Sequence, residues 1–352
     1  MISWKRIGLK DYEFPKINSY KKEYLNPKEQ ARKHISLGKS NKNTLPALNY
    51  KQDTEGLGRE FMVNIEENKN AGIYLHIPEN TKVEEPIRLN FNLDKENPTL
   101  VDYNNIYAEA NSQVTVLIDY NSSNEVEGFH NGFTNIFAER GSKVNIIKLQ
   151  RLNYKTLNFD FNFSKIESDA EVNFVSIELG SKLSGFNYTS VLEEDTSNSN
   201  LSSIYLADKD MNLDLEYTMV HKGVRSHSKI DTKGALMGNA KKVFRGNLDF
   251  KRGSRVSKGV EREEVLLLSP DVNSDSIPAL LCEEDNVEGE HAVSAGQIDD
   301  SKLFYLMSRG LSELEAKKLI VESSFNPIID MIPFDDLKDE VRLEIERRLI
   351  NE

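Results

Sequence analysis

One cysteine and six histidines are the residues through which this 352-residue chain could ligate a metal or attack a bond. Cys282 stands in ALLCEED, where Glu283, Glu284 and Asp285 disfavour a thiolate; a strand core position is the better reading than a nucleophile. The lone cysteine also excludes an intramolecular disulfide and an all-cysteine metal site within one chain. His76 falls in an apolar run and reads as a packed strand residue. His221 and His227 are six apart, which on one ideal strand puts them on a single face, but no carboxylate or thiolate joins them at matching spacing. His291 follows Glu288-Gly289-Glu290 and precedes small residues; imidazole and carboxylate there are competent iron ligands, with softer sulfur supplied from elsewhere. The common catalytic signatures are missing. Gly38-Lys39-Ser40 has the tail of a phosphate loop, but the glycine required five residues earlier is Lys33. There is no Gly-x-Ser-x-Gly elbow, no His-Glu-x-x-His helix and no Gly-x-Gly-x-x-Gly after a strand, which argues against a self-contained hydrolase, kinase or dehydrogenase.

The elements that must position these residues are legible from patterning. Apolar residues make up 38% and charged residues 29%, a balance that fits a folded globular chain rather than a disordered one. No apolar run reaches the roughly 18 residues of a membrane helix, and the first residues lack a signal-peptide core, so the expectation is a cytoplasmic protein without a membrane partner. A formal charge of -12 argues against nucleic acid. Residues 1–52 run the other way, with twelve Lys/Arg against four Asp/Glu, and read as a solvated basic arm. Pro27–Gly38 reads as a short helix with Pro at its start and Gly past its end, and a loop follows. Beyond Gly58 come short runs bounded by turn residues, among them Gly72–Ile77, Val114–Ile118, Val144–Leu149 and Val172–Leu179, each read as a strand. Ala108–Leu117 (AEANSQVTVL) and Ala138–Ile147 (AERGSKVNII) repeat with a shift of 30 residues, and Val172 follows Val144 by 28. Strands repeating at that period without helices between them predict stacked coils of a β-solenoid; a sandwich of antiparallel hairpins is the competing fold.

The β region is expected to stop near Gly296. Ser301–Arg309 then reads as a helix ended by Gly310, Ser312 with Glu315 as a capping box opening a second, and Asp335–Leu349 as a last one, acidic first and Arg-rich last. Pro327 closes or interrupts the middle helix, and Leu303, Phe304, Leu306, Leu319 and Ile320 are the expected core of this helical part. The expected division is residues 1–60 as an N-terminal helical and irregular region, 61–298 as the β core, and 299–352 as the C-terminal helical domain.

Leu266–Gly310, reading LLLSPDVNSDSIPALLCEEDNVEGEHAVSAGQIDDSKLFYLMSRG, strongly resembles the C-terminal signature of the SufB/SufD family of the SUF iron–sulfur cluster assembly system. Looser matches lie at Gly72–Ile87, Ala108–Tyr120 and Phe244–Gly253. The resemblance implies a mainly β fold, a right-handed parallel β-helix core with helical N-terminal and C-terminal parts. It implies a non-ATPase scaffold subunit that pairs with a SufB-like paralogue through the β-helix and with a SufC-type ABC ATPase through the C-terminal helices. No cofactor is expected to be bound stably; a transient iron–sulfur cluster at the subunit interface is.

Two departures place the chain nearer SufD than SufB. The SufB cysteine before the LLLS-like strand corresponds to Glu263, and SufB's His-Glu-Ala is His291-Ala292-Val293 here. The SufD branch places a proposed cluster-ligand histidine at His291, while its frequent cysteine two residues earlier is Gly289. His291 is therefore the expected metal-site residue, with Glu290 and Glu263 as substitute oxygen ligands. Two alternatives stand beside this reading. One is the sole scaffold of a minimal two-component system, forming a homodimer. The other, from a different class, is a β-solenoid carbohydrate-active enzyme, which would need carboxylates paired across a groove.

Overall fold

The structure, a computed structural model, describes residues 12–25, 35–39 and 59–350. Its centre is a parallel β-solenoid of two facing sheets. One sheet stacks β1 (Ser36–Lys39), β2 (Ile73–Ile77), β4 (Thr99–Ala108) and the even-numbered strands onward to β14 (Lys241–Phe250), β16 (Asn273–Ser276) and β17 (Ala279–Cys282). The other runs from β3 (Ile87–Leu93) through β5 (Gln113–Ser122), β7 (Lys143–Arg151), β9 (Glu171–Glu178), β11 (Asn198–Ala207), β13 (His227–Leu236) and β15 (Ser257–Leu267) to β18 (Val287–Gln297). Each coil thus gives one strand to each sheet, the last coil's strand in the even sheet being split into β16 and β17. The sequence repeat is this register: Val114 pairs with Val144, and Val144 with Val172. No antiparallel sandwich forms. Among the described residues the one antiparallel pair of strands is β1 on β2.

Each coil turns from the even to the odd sheet through a residue with positive φ: Asn80, Asn111, Gly141, Asp169, Thr196, Arg225 and Val256 in successive coils. The backbone N–H of each donates to a carbonyl of the next coil, as Asn111 does to Arg140 O at 2.9 Å. The period therefore comes from a turn repeated in conformation more than in sequence, since Asn, Gly and Asp take this geometry readily and Val does not.

Inside the rod, the half nearest these turns is apolar, with Ile106, Val116, Ile146 and Phe174 fully buried. The opposite half is more polar, and several of its groups are paired. Asp102 accepts from Tyr120 Oη at 2.9 Å and faces His130 Nε2 at 2.7 Å, and Lys148 Nζ holds both Asp160 oxygens at 2.7 and 2.8 Å. Burial opposes a charged His130, but the Asp102 charge and hydrogen bond outweigh it and its pKa rises.

The first coil is closed. Tyr24 stacks on Phe91 at 4.8 Å, its hydroxyl donates to Gly72 O at 3.0 Å, and Leu25 bridges to Leu89. Helix α1 (Arg59–Asn68) seals the outer face of the even sheet by inserting Phe61 and Ile65 among Val101, Phe129 and Phe159. The expected helix at Pro27–Gly38 is corrected in its described part, because Ser36–Lys39 is strand β1, held extended by its ladder to β2; residues 27–34 lie outside the described residues, as does most of the basic arm.

Three helices follow β18: α2 (Asp300–Ser308), α3 (Glu313–Ile329) and α4 (Asp335–Ile350). Asp299 caps α2, and Ser312 with Glu315 makes both bonds of the capping box on α3. Pro327 sits inside α3 without ending it. The expected core of this part is corrected. Phe304 and Leu319 are exposed, Leu303, Leu306 and Ile320 only half-buried, and the buried residues are instead Val321, Phe325, Ile328, Val341 and Ile345. They are buried because α3 and α4 lie on the outer face of the odd sheet, against Ile147, Leu149, Ile177, Ile204 and Leu206. Sequence periodicity finds an apolar stripe but not which stripe meets a second apolar surface.

Candidate functional site at the open end of the rod

The last coil has no coil beyond it. Strands in a solenoid bury inward residues against neighbours on both sides, so the terminal coil leaves its inward row half-covered. On the even sheet that row continues Phe244, Leu248 and Phe250 as Ser276, Leu280 and Cys282. On the odd sheet it continues Gly259, Glu261, Glu263 and Val265 as Gly289, His291, Val293 and Ala295. Leu280, Leu281 and Val293 are 39%, 52% and 39% exposed, an apolar rim where a solvated end would be polar. His291 and Cys282 both stand at this end and both are exposed. The expectation that Cys282 occupies a strand core is thus met in strand and row but not in burial.

The three residues singled out for metal chemistry do not share a surface. Glu290 lies on the outward row, beside Arg262 at 3.9 Å. Glu263 is fully buried one coil inward, where Lys242 Nζ donates to it at 2.8 Å, Tyr205 Oη at 2.9 Å and Ser276 Oγ at 2.5 Å. Burial lowers the Lys242 pKa, against the opposing pull of Glu263. Glu263 is thereby committed to structure. His291 alone of the three stands on the row that closes the lumen.

Sequence reasoning missed Glu261. It is the register partner of His291, on the adjacent strand and the same face, and is 0% exposed. Neither carboxylate oxygen has a hydrogen-bond partner. Burial, and then the Glu263 charge, push its pKa to about 7. The signal was in the alternation of Glu261, Glu263 and Val265, which puts two acids on the inward face of a strand. The other histidines fall elsewhere. His76 is half-buried on β2, facing Glu109 at 2.7 Å. A turn separates His221 from His227, so they do not share one strand's face; His221 is buried between Ser226 and Ser228 at 2.7 and 2.8 Å, and burial takes its pKa down to about 3. Among the described residues no three His, Cys, Asp or Glu side chains gather closely enough to hold a metal ion.

The second exposed surface is α2, which has no buried residue and presents Phe304 (73% exposed), Tyr305 and Met307. Among the described residues no helix is long and apolar enough to cross a membrane.

A parallel β-solenoid closed at its first coil, open at its last and carrying helices along one flank defines the class of protein by its fold. Within that class the chain belongs to the family described as SUF system FeS cluster assembly, SufBD core domain, which matches residues 91–324. It is 24% identical over 289 residues to the iron-sulfur cluster assembly protein SufD of Bacillus subtilis, covering 80% of this chain and 64% of that protein. It is 25% identical over 297 residues to an iron-sulfur cluster assembly SufBD family protein of Staphylococcus epidermidis (81% and 64%), and 27% identical over 267 residues to one of Pyrococcus horikoshii (76% and 59%). The chain thus spans less than two thirds of the length of these relatives.

Proposed function

We propose that this chain is a SufD-like, non-ATPase scaffold subunit of an iron–sulfur cluster assembly complex. It pairs through the open end of its β-helix with a SufB-like paralogue and through its C-terminal helices with a SufC-type ATPase. The observation that carries the reading is the contrast between the two ends of the rod: Tyr24 and Leu25 cap the first coil, while Leu280, Leu281 and Val293 leave the last one bare. A bare apolar end on a parallel sheet is completed by a second chain at modest cost, because the side chains are already ordered. The exposed Phe304, Tyr305 and Met307 on α2 offer the aromatic and methionine anchors that protein interfaces favour. On this reading iron and sulfide are cargo gathered between the paired ends, and ATP hydrolysis belongs to the partner. The family resemblance and the absence of a complete phosphate loop support that assignment.

Anaerobic co-purification with a SufC-type ATPase and a SufB-like chain tests it. Leu281→Asp with Val293→Asp is expected to abolish pairing of the rods while retaining the ATPase; Phe304→Asp with Tyr305→Asp is expected to do the reverse. Retention of both partners by both double variants would sink the reading. A homodimer in place of the heterodimer would identify the minimal-system alternative.

A further inference from the structure

A buried carboxylate with no partner costs several kcal/mol to keep charged, so Glu261 calls for an explanation. Its surroundings are built around it. On the facing strand, Gly246 leaves the space the carboxylate occupies; a Cβ there would come within 2.7 Å of Glu261 Cγ, 2.8 Å of Cδ and 3.0 Å of Oε1. Directly beyond Gly246 in the stack, the last coil is interrupted. Phe244 pairs with Ser276 and Asn247 with Ala279, so Gly246 falls opposite Pro278, in the gap between β16 and β17. Proline offers no N–H to the ladder, so the pairing of the last coil breaks at the position stacked next on Gly246, beside the buried Glu261 carboxylate. Glu263, two residues on, is neutralised by Lys242. Glu261 is therefore the acid in this cluster with no salt bridge or hydrogen bond of its own, the Lys242 charge reaching it only at longer range. Its register partner His291 is exposed on the adjacent strand, with its side chain on the same face.

We propose that Glu261 and His291 together are this chain's two ligands to a divalent metal ion at the mouth of the rod, with ferrous iron as the cargo ion. Carboxylate oxygen and imidazole nitrogen on adjacent strands form a two-point clamp suited to such an ion. Two ligands do not complete a coordination sphere, and water, sulfide or groups from the covering subunit fill the rest. Gly246 is the positioning residue for the carboxylate. The proposal deepens the scaffold reading by naming the ion and the second ligand.

The test uses the purified full chain under anaerobic conditions, with ferrous ion alone as the probe in equilibrium dialysis and cobalt(II) absorption as the spectroscopic readout. One ion per chain is expected. Glu261→Gln and His291→Ala should each weaken binding by about tenfold or more. Gly246→Ala should do so without removing a ligand, by displacing the carboxylate. Circular dichroism guards against misfolding, and Glu290→Gln, on the outward row, should bind as the unaltered chain does. Wild-type affinity in Glu261→Gln, or no bound ion in the unaltered chain, overturns the proposal. Either result leaves the scaffold reading intact if the chain still co-purifies with its two partners, whereas loss of those partners defeats that reading whatever the ion does.

Discussion

Glu178 shows how much ionisable chemistry the interior holds. It is fully buried, with Ser176, Gln150 and Ser184 donating to it, and burial followed by the charge of Asp160 raises its pKa to about 7. A carboxylate raised in the fold binds its proton more tightly than in the unfolded chain, so its contribution to stability is full below about 4.5 and is lost as pH rises through 7. Glu178→Gln is therefore expected to stabilise the protein above pH 7, by up to about 3 kcal/mol, with the gain fading toward pH 4.5. Urea titrations at a series of pH values check it; a gain independent of pH would show that the pKa of Glu178 is not raised in the fold. Lys242 makes the opposite case. Lys242→Met strands Glu263 without its cation and should cost about 3–5 kcal/mol, read as a lowered urea midpoint. At this scale the sequence was least informative. His291 was visible as a ligand candidate because carboxylates precede it and because the family resemblance places a ligand histidine at its position. Glu261 and Glu263 were visible as acids on one strand, but which of them finds a lysine across the lumen depends on the stacking of four strands.

At the scale of elements, the repeat was read correctly from Val114, Val144 and Val172 because strand register in a solenoid writes itself into spacing. Helix α1 and strand β1 were not read. The first is short and depends on the aromatic face of the even sheet for its stability, as most short helices depend on packing. The second is extended only because β2 offers it a ladder. The turns carry one local conflict. Val256 occupies the positive-φ position at φ 63, a backbone region that a β-branched residue enters at a cost of about 1–2 kcal/mol. Its side chain is 47% exposed and packs little. Val256→Gly should therefore raise stability by about 1 kcal/mol, the relieved strain exceeding the added flexibility of the unfolded chain. Thermal and urea denaturation measure the difference. A loss of stability would mean that packing at the turn outweighs the backbone term.

For the whole molecule, the position of the helices decides what an experiment on them can mean. Their capping signals were legible, because Ser312, Glu315 and Gly310 act within a few residues; their docking was not, because the matching surface is scattered over strands β5 to β13. Removal of residues 312–350 is the bluntest test of the proposed ATPase binding by these helices. It would also strip the cover from Leu149, Ile177, Ile204 and Leu206, each worth about 1.5–3 kcal/mol when buried. A point change at the latch is more informative. Arg348, near the end of α4, is buried against the rod, pairing with Asp208 (Nη2 to Oδ1 2.7 Å, Nε to Oδ2 3.1 Å) and donating to the carbonyls of Leu179 and Leu206. Two exposed pairs, Arg88 with Asp336 and Arg151 with Glu340, hold the other end of the helix and are worth much less. Arg348→Met should cost about 3 kcal/mol or more by leaving Asp208 buried and uncompensated, and Arg348→Met with Asp208→Leu should regain most of it. Limited proteolysis will show α4 cut first in the single variant and protected again in the double. If the single variant unfolds as one unit with the rod, at the same denaturant concentration by every probe, helices and solenoid form one cooperative body. A pull on α2 would then be felt along the whole flank of the rod, as the proposed pairing of motor and scaffold requires.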